Sequence, residues 1–253
     1  VGALKPKHHE ETKASIKKPV LFPSEPQVVD VVTRLLSQGT LVCLRDAAMI
    51  SLMSQSGVRI GSLITLRGKD LVLTKEHRTL IMDPREVDTK FSKFIHGRVF
   101  RFDPSFDEAL ELYLAQRKEK LALGSNDPLF TYCRTEVPGA SKVVLGRKPW
   151  QNTGAPSGII AKRFEEAGYQ RYPAHRLRHA GAQMAVRRAK TMLELKAISQ
   201  CFGHTSVSLL MNTYGDLNSN QLDEVSLNLG GAGNGELSPE EQQVIALMRK
   251  HAA

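Results

Sequence analysis

The chain has 253 residues, 41% of them hydrophobic, enough to bury one large core or two small ones. Its formal net charge is +9, from 35 Lys and Arg against 26 Asp and Glu, a balance that favours a polyanionic partner. The three cysteines, Cys43, Cys133 and Cys201, are too few and too far apart for a disulfide framework or a zinc cluster, and no apolar run approaches the roughly 20 residues that span a bilayer. The composition is that of a soluble, cytoplasmic protein with no membrane partner. The chain opens on Val rather than Met and reads as a piece of a longer one.

Residues 1–20 are rich in Lys and His with few large apolar groups, and are expected to be a flexible basic linker because they bury too little surface to order themselves. Leu21-Phe-Pro-Ser-Glu-Pro then introduces a helix through Leu36, and Leu44 to Ser56 carries apolar residues at helical spacing that stop at Gly57. Arg59 stands at the next helix start. Between Leu71 and Phe102 the short runs 71–73, 79–82 and 99–102 are separated by polar turns and predict a small antiparallel sheet. A helix is expected from Phe106 to Gln116. The connection from Gly124 to Gly158, with Pro128, Pro138, Pro149 and Pro156, is long for a compact domain, so it either holds short elements or is itself functional. Helices are expected again near 157–167, 174–188, 192–201 and 206–214. Gly230 to Gly235 has a linker composition, and Ser238-Pro-Glu-Glu241 opens a capping-box helix with Val244, Ile245, Leu247 and Met248 on one side.

Charge is placed unevenly. Residues 162–196 hold nine Lys or Arg against three Glu, whereas 216–253 hold six acids against Arg249 and Lys250, so a basic middle precedes an acidic tail. Inside the basic stretch lies His175-Arg-Leu-Arg178-His179. Downstream come His204, after a glycine that permits close backbone approach, and Tyr214; upstream lies Arg59. Metal-free phosphodiester cleavage needs a nucleophile, cations around the phosphorane and an acid for the leaving oxygen. Arg59 and Arg178 can each give forked hydrogen bonds to nonbridging oxygens, a geometry lysine does not offer. His175 lies three residues before Arg178, on the same helix face. His204 can donate to a further oxygen, and Tyr214 offers a phenol that becomes nucleophilic once cations stabilise its phenolate.

These motifs resemble the tyrosine recombinases, or phage-type integrases. The family's first box typically reads Thr-Gly-Leu-Arg followed by Leu-Arg-Trp-x-Asp, and here Ser56-Gly-Val-Arg59 precedes Leu66-Arg-Gly-Lys-Asp70. Its second reads His-x-Leu-Arg-His, as at 175–179, and its third Leu-Gly-His-Ser-Ser-Ile, to which Phe202-Gly-His204-Thr-Ser-Val is similar. The resemblance runs from about residue 20 to 217. It implies an α+β fold, mainly helical, with a small antiparallel β-sheet on one edge, and it divides the chain into a linker (1–20), a catalytic domain (21–217) and a tail (218–253) whose helix docks on a neighbouring protomer.

The resemblance also implies roles. Arg59, Lys90, His175, Arg178, His204 and Tyr214 form the catalytic set; Lys93, Arg176, His179, Arg187 and Arg188 are candidate DNA contacts. Lys90, in Thr89-Lys90, stands where the family carries its hairpin general acid, with Lys93 and Lys75 as alternatives. If the stretch is a regular strand, Lys90 and Lys93 face opposite sides. Two positions depart from the pattern: Ser62 replaces the acid usually found three residues after the first arginine, and Tyr214 follows His204 by ten residues rather than nine. The implied activity is site-specific strand cleavage and rejoining through a 3′-phosphotyrosyl link, without metal or cofactor. The implied partners are double-stranded DNA, a homotetramer and an N-terminal core-binding domain missing from this chain. A type IB topoisomerase, a telomere resolvase and a DNA-binding accessory protein with a decayed site are the alternatives.

Overall fold

A computed structural model of the chain describes residues 21–135 and 143–203. The 1–20 linker, the 206–214 helix, His204, Tyr214 and the tail lie outside them. Helix α1 (Glu25–Gln38) starts at a capping box in which the Ser24 N–H donates to Gln27 Oε1 at 2.9 Å, and it stops at Gly39 in the left-handed region. Helix α2 (Leu41–Ser56) is capped by Thr40, whose hydroxyl accepts from the Cys43 N–H, and ends at Gly57 with φ 63°. A short helix α3 (Ile60–Thr65) follows directly, with Arg59 as its N-cap residue.

Three strands, β1 (Leu71–Leu73), β2 (Arg78–Met82) and β3 (Ile95–Arg98), form an antiparallel sheet in chain order, with Leu71 opposite Leu80 and Leu80 opposite Gly97. The third strand is not the expected 99–102 run. Only the Val99 N–H continues the ladder, donating to Arg78 O; the Phe100 N–H donates instead to Gln55 O at the end of α2. Phe100 stacks on Phe102 and Phe202, so this aromatic run packs against the helices, and the less apolar Ile-His-Gly-Arg segment takes the sheet edge.

Helix α4 (Pro104–Leu121) is longer than its apolar pattern suggested, starting at the Asp103 cap. The long connection holds short elements: a hairpin of β4 (Cys133–Thr135) and β5 (Val143–Leu145), then helix α5 (Gly154–Glu166), which begins three residues earlier than expected. Helix α6 (His175–Arg188) and helix α7 (Met192–Cys201) lie within a residue of their expected bounds.

Helix α2 is the axis of the core. Every residue from Cys43 to Ser56 is buried, and α1, α4 and α6 pack around it. Contact with α6 is made backbone to backbone: a Cβ at Gly181 would lie 1.9 Å from Ser54 O. One charged cluster sits inside this core. Asp46, fully buried, accepts from Arg45 at 2.6 and 2.8 Å and from Arg163 of α5 at 2.7 and 2.9 Å, while Arg45 also donates to Thr131 O before the hairpin. With both carboxylate oxygens engaged, the buried charge is compensated, and removing it strands two guanidinium groups in the interior.

Asp46→Ala is therefore expected to destabilise the fold by about 3–5 kcal/mol in urea titrations. Gly181→Ala, which drives a methyl into a backbone carbonyl, is expected to cost about 3 kcal/mol or more in the same measurement.

Candidate active site

The carboxyl end of α2 and the first turn of α6 face each other. Between them opens a cavity of about 370 Å³ lined by Arg59, Gly61 and Ser62 from the start of α3, Asp88 and Lys90 from the β2–β3 connection, and His175, Arg178 and His179 from α6; Met53 and Val58 add apolar wall. Three permanent cations and one carboxylate thus share a single opening. Such a surplus of positive charge attracts a small anion or one phosphate of a larger one.

Each side chain arrives for a local reason. Gly57 turns the chain at the end of α2, and two residues later Arg59 is delivered to the rim; its guanidinium has no hydrogen-bond or ion-pair partner among the described residues. Arg178 is held differently: Nη1 donates to Gly57 O and Nη2 to Phe202 O, and its guanidinium lies 5.6 Å from the centre of the Phe202 ring. Carbonyls at the negative end of α2 offset the repulsion between two neighbouring arginines. Gly57 leaves room for that ring, since a Cβ there would meet Phe202 Cδ1 at 2.3 Å.

His175 and His179, one helical turn apart, meet edge to face with centroids at 6.1 Å, and Phe22 stacks on His179. Burial first, then the Arg176 charge, pushes the His175 pKa down; His179 is lowered by burial, then by Arg176, His175 and Arg178. Both imidazoles are accordingly neutral at pH 7, each with one N–H to donate and one nitrogen to accept.

The Lys90 segment is not a strand. Lys90–Ser92 is a single tight turn, with Phe91 at φ 63° and Ser92 at φ 50°, a conformation unusual for residues with a Cβ. Lys90 lines the cavity and Lys93 does not; their ammonium groups lie 4.9 and 6.0 Å from the centre of the exposed Phe91 ring. The alternation expected of a strand therefore does not govern the two lysines.

Five of the sequence-selected residues, Arg59, Lys90, His175, Arg178 and His179, thus line one cavity. Lys75, Lys93, Arg176, Arg187 and Arg188 are not part of its lining. Arg187 is exposed, whereas Arg188 is paired with Glu25 at 2.5 Å, stacks on Phe102 and ties α6 to α1. Sequence reasoning missed Asp88, for which no spacing gave a signal, since it reaches the cavity only through the fold of the β2–β3 connection.

The phage integrase family model matches residues 29–221. This chain belongs to the phage integrase family. Two tyrosine recombinases named XerC, from Roseiflexus sp. strain RS-1 and Roseiflexus castenholzii strain DSM 13941 / HLO8, are 28% and 29% identical to it over 185 residues, which is 72% of this chain and 51% of each relative. The chain spans about half the length of these curated relatives. Among solved structures, XerA recombinase superposes with a TM-score of 0.58 at 22% identity, over 85% of this chain and 67% of that one. XerH site-specific recombinase bound to palindromic difH substrate gives 0.58 at 18% identity, over 83% and 53%. The fold is thus that of the tyrosine recombinases, mainly helical with small antiparallel sheets.

The depressed histidines set a pH dependence for this integrase-family fold. Unfolded His175 and His179 take up protons near pH 6.5 while their folded forms do not, so stability is full above that value and falls as pH drops below it. The melting temperature is expected to decline from pH 6.5 downward, and the His175→Gln, His179→Gln double variant to flatten that decline.

Proposed function

We propose that this chain is the catalytic part of a site-specific DNA recombinase that breaks and rejoins strands through a 3′-phosphotyrosyl link. The observation that carries the reading is the convergence of Arg59, Lys90, His175 and Arg178, drawn from three separate stretches of sequence, on one cation-rich cavity. An open site of this kind suits one phosphate of a duplex better than a free small molecule, because its rim is formed by exposed loop and helix termini.

In this reading Arg59 and Arg178 hold the nonbridging oxygens of the scissile phosphate and His175 donates a further hydrogen bond, with His204 beside them. Tyr214 attacks phosphorus, the P–O5′ bond breaks, and Lys90 passes a proton to the departing 5′ oxygen. The phosphodiester energy is kept in the protein–DNA bond, so a 5′ hydroxyl of a partner strand can reverse the step with neither nucleotide cofactor nor metal. Strand exchange between two duplexes calls for four protomers, and the apolar stripe of 244–248 on its Gly-rich tether fits docking on a neighbour. Residues 21–217 are the catalytic unit and 1–20 the tether to a DNA-gripping domain, consistent with the half-length match to the XerC relatives. Integration, excision or resolution of a mobile element is the use such chemistry serves.

The test uses the longer native protein, wild type and Tyr214→Phe, with nicked DNA carrying its attachment site. Wild type is expected to give a denaturant-resistant protein–DNA adduct, and the variant at least about 10³-fold less. Adduct in both proteins would move the attack to another residue. Absence from both, with DNA binding intact, would favour an accessory protein with a decayed site.

A further inference from the structure

Ser62 is buried on α3, and its Oγ donates to the Asp88 carbonyl at 2.6 Å. The Asp88 N–H donates to Thr65 Oγ1 at 2.9 Å, and that hydroxyl donates in turn to the Ser62 carbonyl at 2.9 Å. Both main-chain polar groups of Asp88 are therefore taken up by the helix that Arg59 caps. Lys90 follows two residues later, within about 7 Å of chain.

At the tip of this connection the Ser92 N–H donates to Thr89 O at 3.0 Å and closes the turn around Lys90, but among the described residues no hydrogen bond or ion pair holds the lysine side chain itself. Its ammonium has only the Phe91 ring beside it among the described residues, and that ring is 76% exposed. Phe91 and Ser92 occupy the left-handed region, and Thr89 Oγ1 is buried without a hydrogen-bond partner among the described residues. Each of these features favours release of the segment to another conformation. The two hydroxyls on α3 oppose that release.

We infer that Ser62 is a positioning residue whose hydroxyl, together with Thr65, clamps Asp88 so that Lys90 is presented to the phosphate held by Arg59. The inference rests on the phosphotyrosyl reading above and adds the route by which α3 sets leaving-group protonation. Direction of the hydrogen bond is decisive. A hydroxyl donates to the Asp88 carbonyl, whereas an ionised carboxylate only accepts. An acid at position 62, the residue usual in the family, would face that carbonyl and bring a second negative charge near the Asp88 carboxylate, whose Oδ2 lies 3.2 Å from where a Cβ on Gly61 would stand. Restoring the family residue is thus expected to harm this chain more than deleting the hydroxyl.

Single-turnover cleavage of nicked attachment-site DNA tests this with the longer native protein and two substrates, one with the ordinary scissile phosphate and one with sulfur replacing the bridging 5′ oxygen. With oxygen, the Tyr214 phenolate, its proton released to solvent as the arginines stabilise it, forms the Oη–P bond, P–O5′ breaks and the Lys90 proton goes to O5′. With sulfur, P–S5′ breaks and a thiolate, whose conjugate acid has a pKa near 8.5, leaves without that proton. Ser62→Ala is expected to slow the oxygen substrate about 10–100-fold and the sulfur substrate less than about threefold. Ser62→Asp is expected to be slower still on oxygen, Ser62→Thr to recover most of the loss, and Arg59→Ala to slow both substrates. Hydrogen exchange at the Asp88 amide should quicken in Ser62→Ala at unchanged melting temperature.

Equal slowing of Ser62→Ala on both substrates, no slowing on either, or faster cleavage by Ser62→Asp would each overturn the clamp while leaving the phosphotyrosyl reading in place. Failure of the wild type on both substrates would overturn that reading and the role of Ser62 with it.

Discussion

The carboxyl end of α2 is the constraint on which the rest of the molecule depends. Residues 54–57 receive four contacts from three separate parts of the chain: the Gly181 backbone of α6 at Ser54 O and the Arg178 guanidinium of the same helix on Gly57 O, the Phe100 N–H at Gln55 O, and the Phe202 ring over Gly57. Because α2 is buried on every face, this end cannot shift without disturbing α1, α4 and α6 together. A site built here inherits the rigidity of the core, although Arg59 and Lys90 stand at its surface. The two glycines are what the crowding requires: one allows helices α2 and α6 to touch backbones, the other turns the chain and admits an aromatic ring.

Polar chemistry inside that core divides by purpose. The Asp46 cluster has both carboxylate oxygens engaged and holds α2, α5 and the approach to the β4–β5 hairpin together, with Trp150 stacked 5.0 Å from the Arg45 guanidinium. At the other end of the same helix Arg178 rests on carbonyl oxygens, and the Arg59 guanidinium has no hydrogen-bond or ion-pair partner among the described residues. Under the proposed function, an arginine with no ion pair to break among the described residues is ready for an anion that arrives from outside.

The helices were legible from their apolar spacing, with Gly57 marking the stop of α2, whereas the caps at Thr40 and Asp103 went unread; α2 starts at Leu41 rather than Leu44 and α4 at Pro104 rather than Phe106. The edge strand was not legible, since Ile95-His-Gly-Arg98 shows no alternation, and the apolar 99–102 run that looked like a strand is drawn away by α2 and Phe202. The full burial of α2 was hidden as well, because Arg45, Asp46, Gln55 and the three serines Ser51, Ser54 and Ser56 read as a polar face until their partners are known. Arg59, Lys90, His175 and Arg178 could be chosen from order and local context. What sequence could not supply was the Asp88 carbonyl opposite Ser62, 26 positions away, or the tight turn that replaces a strand at Lys90. Both depend on how a connection folds back on α3, and neither leaves a periodic trace.

Tyrosine attack at this cation-lined end of α2 is the central claim, and direct identification of the linked residue tests it most closely. The covalent complex would be trypsinised, its DNA reduced to a short nucleotide remnant, and the modified peptide sequenced by mass spectrometry. Tyr214 is the single tyrosine between Lys196 and Arg249, so a nucleotide on the 197–249 peptide, fragmenting at Tyr214, is the expected result. A nucleotide on a peptide holding Tyr132, Tyr169 or Tyr172, or on a serine, would contradict the account.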